Sequence, residues 1–290
     1  LKDLSILEEL TLNYNKISEI KGLDDLCNLR TLNLHGNKIS EIKGLDGLTN
    51  LESLYLSGNL IKEIKGIEIL SNLKRLYLGN NQISEIKGIK SLTKLEALYL
   101  NGNQISEIKD LELFPNLKTL DLSQNKITKI KGLDKLKDLR ELNLEHNQIS
   151  EIKGLNGLNN LEVLFLSNNQ INEIESLDLL KELKIISLSH NHITEIKGLE
   201  KCSNLIKLYI EGNQIGEIKE LEKLENLAWI YLGYNQITEV KGLRSQKNLA
   251  WLSLENNPIP KHLTDELGGL SNGRAIDPQA FVAYCRQNKD

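Results

Sequence analysis

The chain has 290 residues, of which 40% are hydrophobic and only 4% aromatic, contains no methionine, and carries a formal net charge of −4. This charge argues against a nucleic-acid-binding protein, which needs a basic surface to displace counterions. The sequence has no run of 18 apolar residues, so it predicts no helix that spans a membrane.

One asparagine recurs every 22 residues from near the start of the chain, without insertion or deletion. Around it the frame reads L-x-x-L-x-L-x-x-N-x-I-x-x-I-x-x-L-x-x-L, first seen from Leu7 to Leu26. A single repeat cannot bury its apolar side chains, whereas stacked copies share a continuous core. The twelve positions are Asn15, Asn37, Asn59, Asn81, Asn103, Asn125, Asn147, Asn169, Asn191, Asn213, Asn235 and Asn257.

Each repeat divides into a predicted strand and a predicted series of turns. The L-x-L pair, such as Leu10 and Leu12, alternates with the period of a β-strand, so both side chains face one side. The later apolar residues recur at every third position, which favours tight 3₁₀-like turns. A glycine that follows lysine marks a turn with unusual backbone angles. These glycines are Gly22, Gly44, Gly66, Gly88, Gly132, Gly154, Gly198 and Gly242.

This frame resembles the leucine-rich-repeat family, in its short 22-residue class, over Leu1 to about Pro260. That class includes the regulatory subunit of type-1 protein phosphatase and the bacterial internalins. The resemblance implies an α/β repeat solenoid, a right-handed superhelix with a concave parallel β-sheet and convex 3₁₀ and turn segments. It also implies that the repeated asparagines form a buried ladder bonded to the backbone of neighbouring loops.

The ends of the chain depart from the repeat. Residues 1–6 begin partway through a repeat, which predicts a minimal N-terminal cap, and we assign residues 1–260 to twelve repeats. We assign residues 261–290 to a C-terminal helical cap, because Asp277 and Pro278 read as the start of a helix. The stretch NPIPKHLTDELGG resembles the tails of archaeal leucine-rich-repeat proteins. One face of the predicted helix carries Phe281, Tyr284 and Cys285.

No motif predicts catalysis, a cofactor or a bound metal. The sequence has no phosphate-binding glycine loop and no H-E-x-x-H motif. His190 and His192 flank Asn191, and His146 lies two repeats away at roughly 10 Å, too far to converge with them on one ion. We therefore expect a protein that is not an enzyme.

The cysteines predict a reducing environment. Cys27, Cys202 and Cys285 form an odd set without paired spacing. Cys27 and Cys202 are about eight repeats apart, on the order of 40 Å at the spacing of stacked strands. Free thiols of this kind favour a cytoplasmic protein.

Charged residues seven positions before each asparagine alternate in sign along most of the chain, which predicts cross-strand ion pairs. The alternation ends in three uncharged residues, where the strand surface changes character. The series is Glu8, Arg30, Glu52, Lys74, Glu96, Lys118, Arg140, Glu162, Lys184, Ile206, Ala228 and Ala250.

Ten of the thirteen aromatic residues lie in or beside the predicted strands. Tyrosine and tryptophan are enriched at interface hot spots, although tyrosine also favours strands in any protein. Bulky residues cluster near the C-terminus, where an apolar surface in water is harder to explain without a partner. The candidate partner-binding residues are Tyr209, Trp229, Tyr231, Trp251, Tyr234, Phe165, Tyr55, Tyr77, Tyr99, Arg75 and Lys207.

We therefore predict a monomeric protein-interaction module that binds a folded domain or an extended peptide on its concave sheet. Charges would orient that partner, and the resemblance implies regulation of a phosphatase or a GTPase. Three alternatives stay open: an extracellular recognition protein of internalin type, an enzyme, and a stability scaffold, artificial or natural. The proposed orienting charges are Arg75, Lys118, Asp121, Glu145, Lys207 and Glu211.

Overall fold

The computed structural model of the chain describes residues 5–288. The start of the predicted first repeat, residues 1–4, lies outside the described residues. The chain divides into two compact units, which we call the N-terminal unit, up to Asn143, and the C-terminal unit, from Leu144 onwards.

The N-terminal unit is a stack of coils that contribute one short parallel strand each. Neighbouring strands pair in a register of one repeat, so that Glu9 lies opposite Thr31 and Arg75 opposite Ala97. Its strands are β1 (Glu9–Thr11), β2 (Thr31–Asn33), β3 (Ser53–Tyr55), β4 (Arg75–Tyr77), β5 (Ala97–Tyr99), β6 (Thr119–Asp121) and β7 (Glu141–Asn143).

The C-terminal unit continues the same pattern and then changes. Five parallel strands are followed by a short antiparallel hairpin, whose second strand pairs with the last parallel strand at Ser253 and Arg274. Its elements are β8 (Val163–Phe165), β9 (Ile185–Ser187), β10 (Lys207–Tyr209), β11 (Trp229–Tyr231), β12 (Trp251–Ser253), α1 (Lys261–Glu266), β13 (Leu270–Ser271), β14 (Arg274–Ala275) and α2 (Pro278–Gln287).

The core of each unit consists of the leucines and isoleucines of the repeat frame. The middle residue of a strand, such as Leu54, is fully buried because alternate side chains of a strand face opposite sides. In the segment between β2 and β3, Leu48 and Leu51 each donate a backbone hydrogen bond to the carbonyl three residues earlier. These single tight turns confirm the spacing-based prediction, and the leucine-rich-repeat solenoid is confirmed as the fold class.

The repeated asparagines form the predicted ladder. The amide of Asn81 donates to the carbonyl of Leu78 in its own coil and to that of Leu56 in the preceding coil, both at 3.0 Å. Its Oδ1 accepts from the Ile61 amide at 3.0 Å, so one buried side chain ties two coils together. Asn15, in the first coil, is exposed, and among residues 5–288 it donates only to carbonyls of its own coil.

A second asparagine ladder, which the sequence analysis overlooked, runs along the turn side of the coils. Each of its amides donates to a backbone carbonyl 23 residues earlier, and most are exposed. Its members are Asn28, Asn50, Asn72, Asn116, Asn204, Asn226 and Asn248.

The glycines that follow lysine adopt the backbone angles that were predicted for them. Gly66 has a φ of +78°, and a Cβ at this position would lie 2.1 Å from the carbonyl oxygen of Ile42 in the preceding coil. Asp110, Ser176 and Glu220 occupy the same repeat position with positive φ. The turn therefore imposes the conformation even where the residue is not glycine.

Helix α2 begins as predicted. The Asp277 side chain accepts hydrogen bonds from the Gln279 and Ala280 amides, and Pro278 is the first helical residue. Phe281 is fully buried. The helix packs on the last coil of the unit through Gln279 to the Leu249 carbonyl, Cys285 to the Val240 carbonyl and Arg286 to the Arg244 carbonyl.

Candidate partner-binding surface

The first and third residues of the strands lie opposite the core on a surface that we call the strand face. Most of their side chains are half-buried rather than freely exposed, because neighbouring coils pack them against one another. All predicted partner-binding residues except Tyr234 belong to this face. Tyr234 stands immediately before Asn235, is 56% exposed and has a φ of 54°.

In the N-terminal unit, Tyr55, Tyr77 and Tyr99 form a stack that we call the tyrosine ladder. Consecutive ring centroids are 4.3 and 4.5 Å apart and the ring planes are within 7° of parallel. Burial, with smaller contributions from the neighbouring tyrosines, raises the pKa of Tyr77 to about 12. Because the rings stack face to face, the surface that the ladder presents to a partner consists mainly of ring edges and hydroxyl groups.

Arg75 lies on the same strand as Tyr77, but its Nε donates to the Ser53 hydroxyl at 2.9 Å. The alternating charges beside it form the cross-strand pairs that were predicted. Glu52 accepts from both Arg30 and Lys74, at 2.8 and 2.9 Å, and Lys118 reaches Glu96 at 2.8 Å. These pairs satisfy one another without a ligand, and exposed pairs of this kind contribute little to stability.

In the C-terminal unit, four predicted residues come together as what we call the aromatic cluster: Tyr209, Trp229, Tyr231 and Trp251. The Tyr209 and Tyr231 rings stack with centroids 4.5 Å apart, and the Trp251 ring lies 5.8 Å from Tyr231. Trp229 and Trp251 are paired residues on neighbouring strands. The parallel register of 22 residues therefore places all four on three adjacent coils.

Two cations cover the tryptophans of this cluster. The Lys207 ammonium lies 3.7 Å from the Trp229 ring centroid, and the Arg274 guanidinium lies 3.5 Å from that of Trp251. Such contacts are favourable because the ring face carries negative charge density. The cluster is therefore not a bare apolar surface, since each tryptophan is half-buried and has a cation on its ring.

Phe165 stands apart from the aromatic cluster. Its partner on the next strand is Ser187, whose hydroxyl bonds Ser167, so that a small polar residue separates Phe165 from Tyr209. Sequence reasoning also missed Arg274, which lies in a hairpin without any repeat signal, and His35, whose ring nitrogen lies 3.1 Å from the Tyr14 hydroxyl.

Among residues 5–288, no group of three or more histidine, cysteine, aspartate or glutamate side chains is arranged to hold a metal ion. Neither of the two helices in this range has the length and apolar character needed to cross a membrane. All three cysteines are free thiols, of which Cys27 is exposed and the other two are buried.

Comparisons with known proteins agree with this geometry. The profile "Leucine Rich repeats (2 copies)" matches residues 7–47, 27–70, 49–90, 71–113, 115–157, 139–179 and 181–223. A comparison with curated protein sequences finds no match.

Several solved structures are similar to the chain. An internalin of Listeria monocytogenes is 29% identical, with a TM-score of 0.73 over 89% of this chain and 83% of its own. A leucine-rich-repeat protein of Leptospira interrogans is 28% identical, with a TM-score of 0.72 over 91% and 82%. The ectodomain of an Arabidopsis thaliana membrane receptor kinase, solved in complex with Casparian strip integrity factor 2, is 30% identical, with a TM-score of 0.69 over 87% and 33%.

Proposed function

The chain belongs to the leucine-rich-repeat family, whose fold is typical of protein-interaction modules, and we propose that it binds a protein partner on the strand face of its C-terminal unit. Members of this family are generally non-enzymatic, and we extend that property to this chain. The single observation that carries the proposal is the aromatic cluster, which gathers both tryptophans of the chain with two tyrosines.

The chemistry of the cluster supports this role. Large aromatic side chains on rigid strands lose little conformational freedom on binding, and tryptophan, tyrosine and arginine dominate interface hot spots. Lys207 and Arg274 lie over the tryptophan rings, where their charges can orient a partner. The Arabidopsis receptor ectodomain offers a parallel, since its structure contains a bound factor.

We further propose a monomeric, cytoplasmic protein with a regulatory target such as a phosphatase or a GTPase. Its three free thiols suit a reducing compartment. A second candidate, favoured by the similarity to internalins of Listeria, is a recognition protein that works outside the cell. Locating the protein in fractionated source cells distinguishes the two.

The test compares three versions of the chain as bait in a lysate of the source cells. The Trp229→Ala, Tyr231→Ala, Trp251→Ala triple variant removes the aromatic cluster. The Tyr55→Ala, Tyr77→Ala, Tyr99→Ala triple variant is the matched control, because it removes three strand-face aromatics of the N-terminal unit. Each bait is first shown to unfold in the same temperature range as the parent.

We expect the parent and the tyrosine-ladder variant to retain a protein that the aromatic-cluster variant loses. With that protein purified, the dissociation constant should rise at least 30-fold in the cluster variant, because truncating one hot-spot residue costs about 2 kcal/mol or more. Equal binding by all three baits would reject the aromatic cluster as the site.

A further inference from the structure

Two carboxylates meet beside the aromatic cluster. Glu211 and Glu255 stand two residues before their repeat asparagines, and Gly233 holds the same position in the coil between them. A Cβ on Gly233 would lie 3.4 Å from Glu211 Oε1 and 3.3 Å from Glu255 Oε1. Both carboxylates therefore lie near the position that a side chain at residue 233 would occupy. The Oε1 atoms of Glu211 and Glu255 are within about 7 Å of each other.

This acidic pair lacks the cross-strand cations that accompany other carboxylates of the strand face. Glu52, Glu96 and Glu162 each bond a lysine on a neighbouring coil, at 2.6 to 2.9 Å. Within the part of the chain that the structure describes, neither Glu211 nor Glu255 forms a side-chain hydrogen bond or an ion pair. The nearby cations, Lys207 and Arg274, lie over the tryptophan rings instead.

The surroundings make this arrangement unfavourable without a ligand. Burial, together with the charge of Glu255, raises the pKa of Glu211, while His190 partly opposes the shift. Two like charges held together on a half-buried surface destabilise the free protein unless a cation joins them. The unpaired carboxylates are thus complementary to a positively charged group of a partner.

Tyrosine rings flank the acidic pair. Tyr209 precedes Glu211 by two residues and Tyr231 precedes Gly233 by two, so aromatic and acidic positions run side by side across the coils. Arginine and lysine combine a positive head with an apolar stem that packs on such rings. The guanidinium of arginine also has several donors, enough to reach two carboxylates at once.

The cluster has room and further unmet hydrogen-bonding capacity for the rest of a peptide. A cavity of about 450 Å³ beside Trp251 is lined by Ser271, Asn272, Arg274 and Ile276, among others. Trp251 Nε1 has no hydrogen-bond acceptor within residues 5–288. A backbone carbonyl of an extended segment is a suitable acceptor for this N–H group.

We propose that Glu211 and Glu255 together bind an arginine or lysine side chain of an extended partner segment, whose neighbouring apolar residues pack on the aromatic cluster. The inference rests on the proposed function and deepens it, because it states the chemistry of the partner. It commits to a basic peptide segment and not to a second copy of the chain.

The test uses a random 12-residue peptide library displayed on phage and selected on the immobilised full chain. We expect selected peptides to be enriched in arginine or lysine next to apolar residues. The Glu211→Gln, Glu255→Gln double variant should bind a synthesised selected peptide at least tenfold more weakly than the parent. Replacing the basic residue of the peptide by norleucine should have a similar effect on the parent and little further effect on the variant.

The matched control is the Glu217→Gln, Glu239→Gln double variant. It removes two negative charges from the turn side of two coils in the same region, where these carboxylates pair with Lys219 and Lys241. Its affinity for the peptide should stay within twofold of the parent. If both double variants weaken peptide binding equally, the loss of affinity is due to net charge alone, and the inference is overturned.

The outcomes separate this inference from the proposed function. One outcome would overturn the inference and support the aromatic cluster as the binding site. In that outcome the selected peptides are not enriched in basic residues, their affinity is unchanged in the Glu211→Gln, Glu255→Gln variant, and it is lost in the Trp229→Ala, Tyr231→Ala, Trp251→Ala variant. Failure to select any peptide would also overturn the inference. The lysate experiment would still test independently whether the aromatic cluster binds a protein.

Discussion

At the scale of single residues, the asparagine of each repeat links neighbouring coils through buried hydrogen bonds. Each interior Asn bonds the backbone of its own coil and of a neighbouring coil, at positions where water cannot replace the lost partner. The second ladder forms similar bonds on the exposed side, where water can. The two ladders therefore contain the same residue type with different energetic weight.

We predict that Asn81→Ala lowers the free energy of unfolding by about 2–3 kcal/mol, because it leaves the Ile61 amide buried without an acceptor and removes one of the two amide donors of the Leu56 carbonyl. Asn50→Ala is the control, since its amide makes one exposed bond to the Cys27 carbonyl, and it should cost less than about 1 kcal/mol. Urea denaturation measures both. Equal losses would show that burial does not distinguish the ladders.

The tyrosine ladder gives a prediction on pH. Tyr77 has a pKa of about 12 in the folded chain, above its ordinary value of 10.0, so the folded state holds this proton more tightly than the unfolded state. Its stabilising contribution is complete below about pH 10 and is lost as the pH rises to about 12. In an absorbance titration near 295 nm, Tyr77→Phe should remove the tyrosine ionisation step that has the highest pKa. The exposed Tyr14→Phe should leave that component in place; its loss there would contradict the assignment.

At the scale of elements, strands and turns could be predicted because every apolar position of the frame has one structural role. Hairpin β13–β14 could not, since two-residue strands carry no periodic signal. The lack of a periodic signal in this hairpin also explains why the predicted binding site was incomplete. Register alone places Tyr231 beside Tyr209, but the cation over Trp251 comes from Arg274, which only the folded chain brings near. Glu255 escaped notice because its pairing with Glu211 depends on the glycine between them.

Helix α2 closes the core of the last coil through Phe281, which is fully buried. We predict that Phe281→Ala destabilises this region by about 3–5 kcal/mol, as large-to-small core substitutions do. Amide hydrogen exchange should accelerate in β12 and α2. The exposed Gln287→Ala is the control in the same helix. Unchanged exchange in the Phe281 variant would mean that the helix does not protect the coil beneath it.

At the scale of the whole molecule, two units with one repeat design present different surfaces. The N-terminal unit offers a tyrosine ladder and charges that satisfy one another. The C-terminal unit offers the aromatic cluster, its two cations and an acidic pair. Core positions are nearly constant while strand-face positions vary, so a solenoid can change what it recognises without changing how it folds.

We predict that the chain is a monomer of 32.8 kDa in solution. Light scattering after size-exclusion chromatography at micromolar concentration measures this directly. A dimer that reverts to a monomer in the Trp229→Ala, Tyr231→Ala, Trp251→Ala variant would identify the aromatic cluster as a self-association surface and contradict the prediction.

The alternating charges that precede the strands determine which changes in the number of repeats preserve the cross-strand ion pairs. An in-frame deletion of residues 53–74 would remove Lys74 and place Glu52 beside Glu96, two like charges on adjacent coils. A deletion of residues 53–96 would instead place Glu52 beside Lys118 and keep the alternation. Within the alternating series from Glu8 to Lys118, loss of an even number of coils should therefore be tolerated more readily than loss of an odd number.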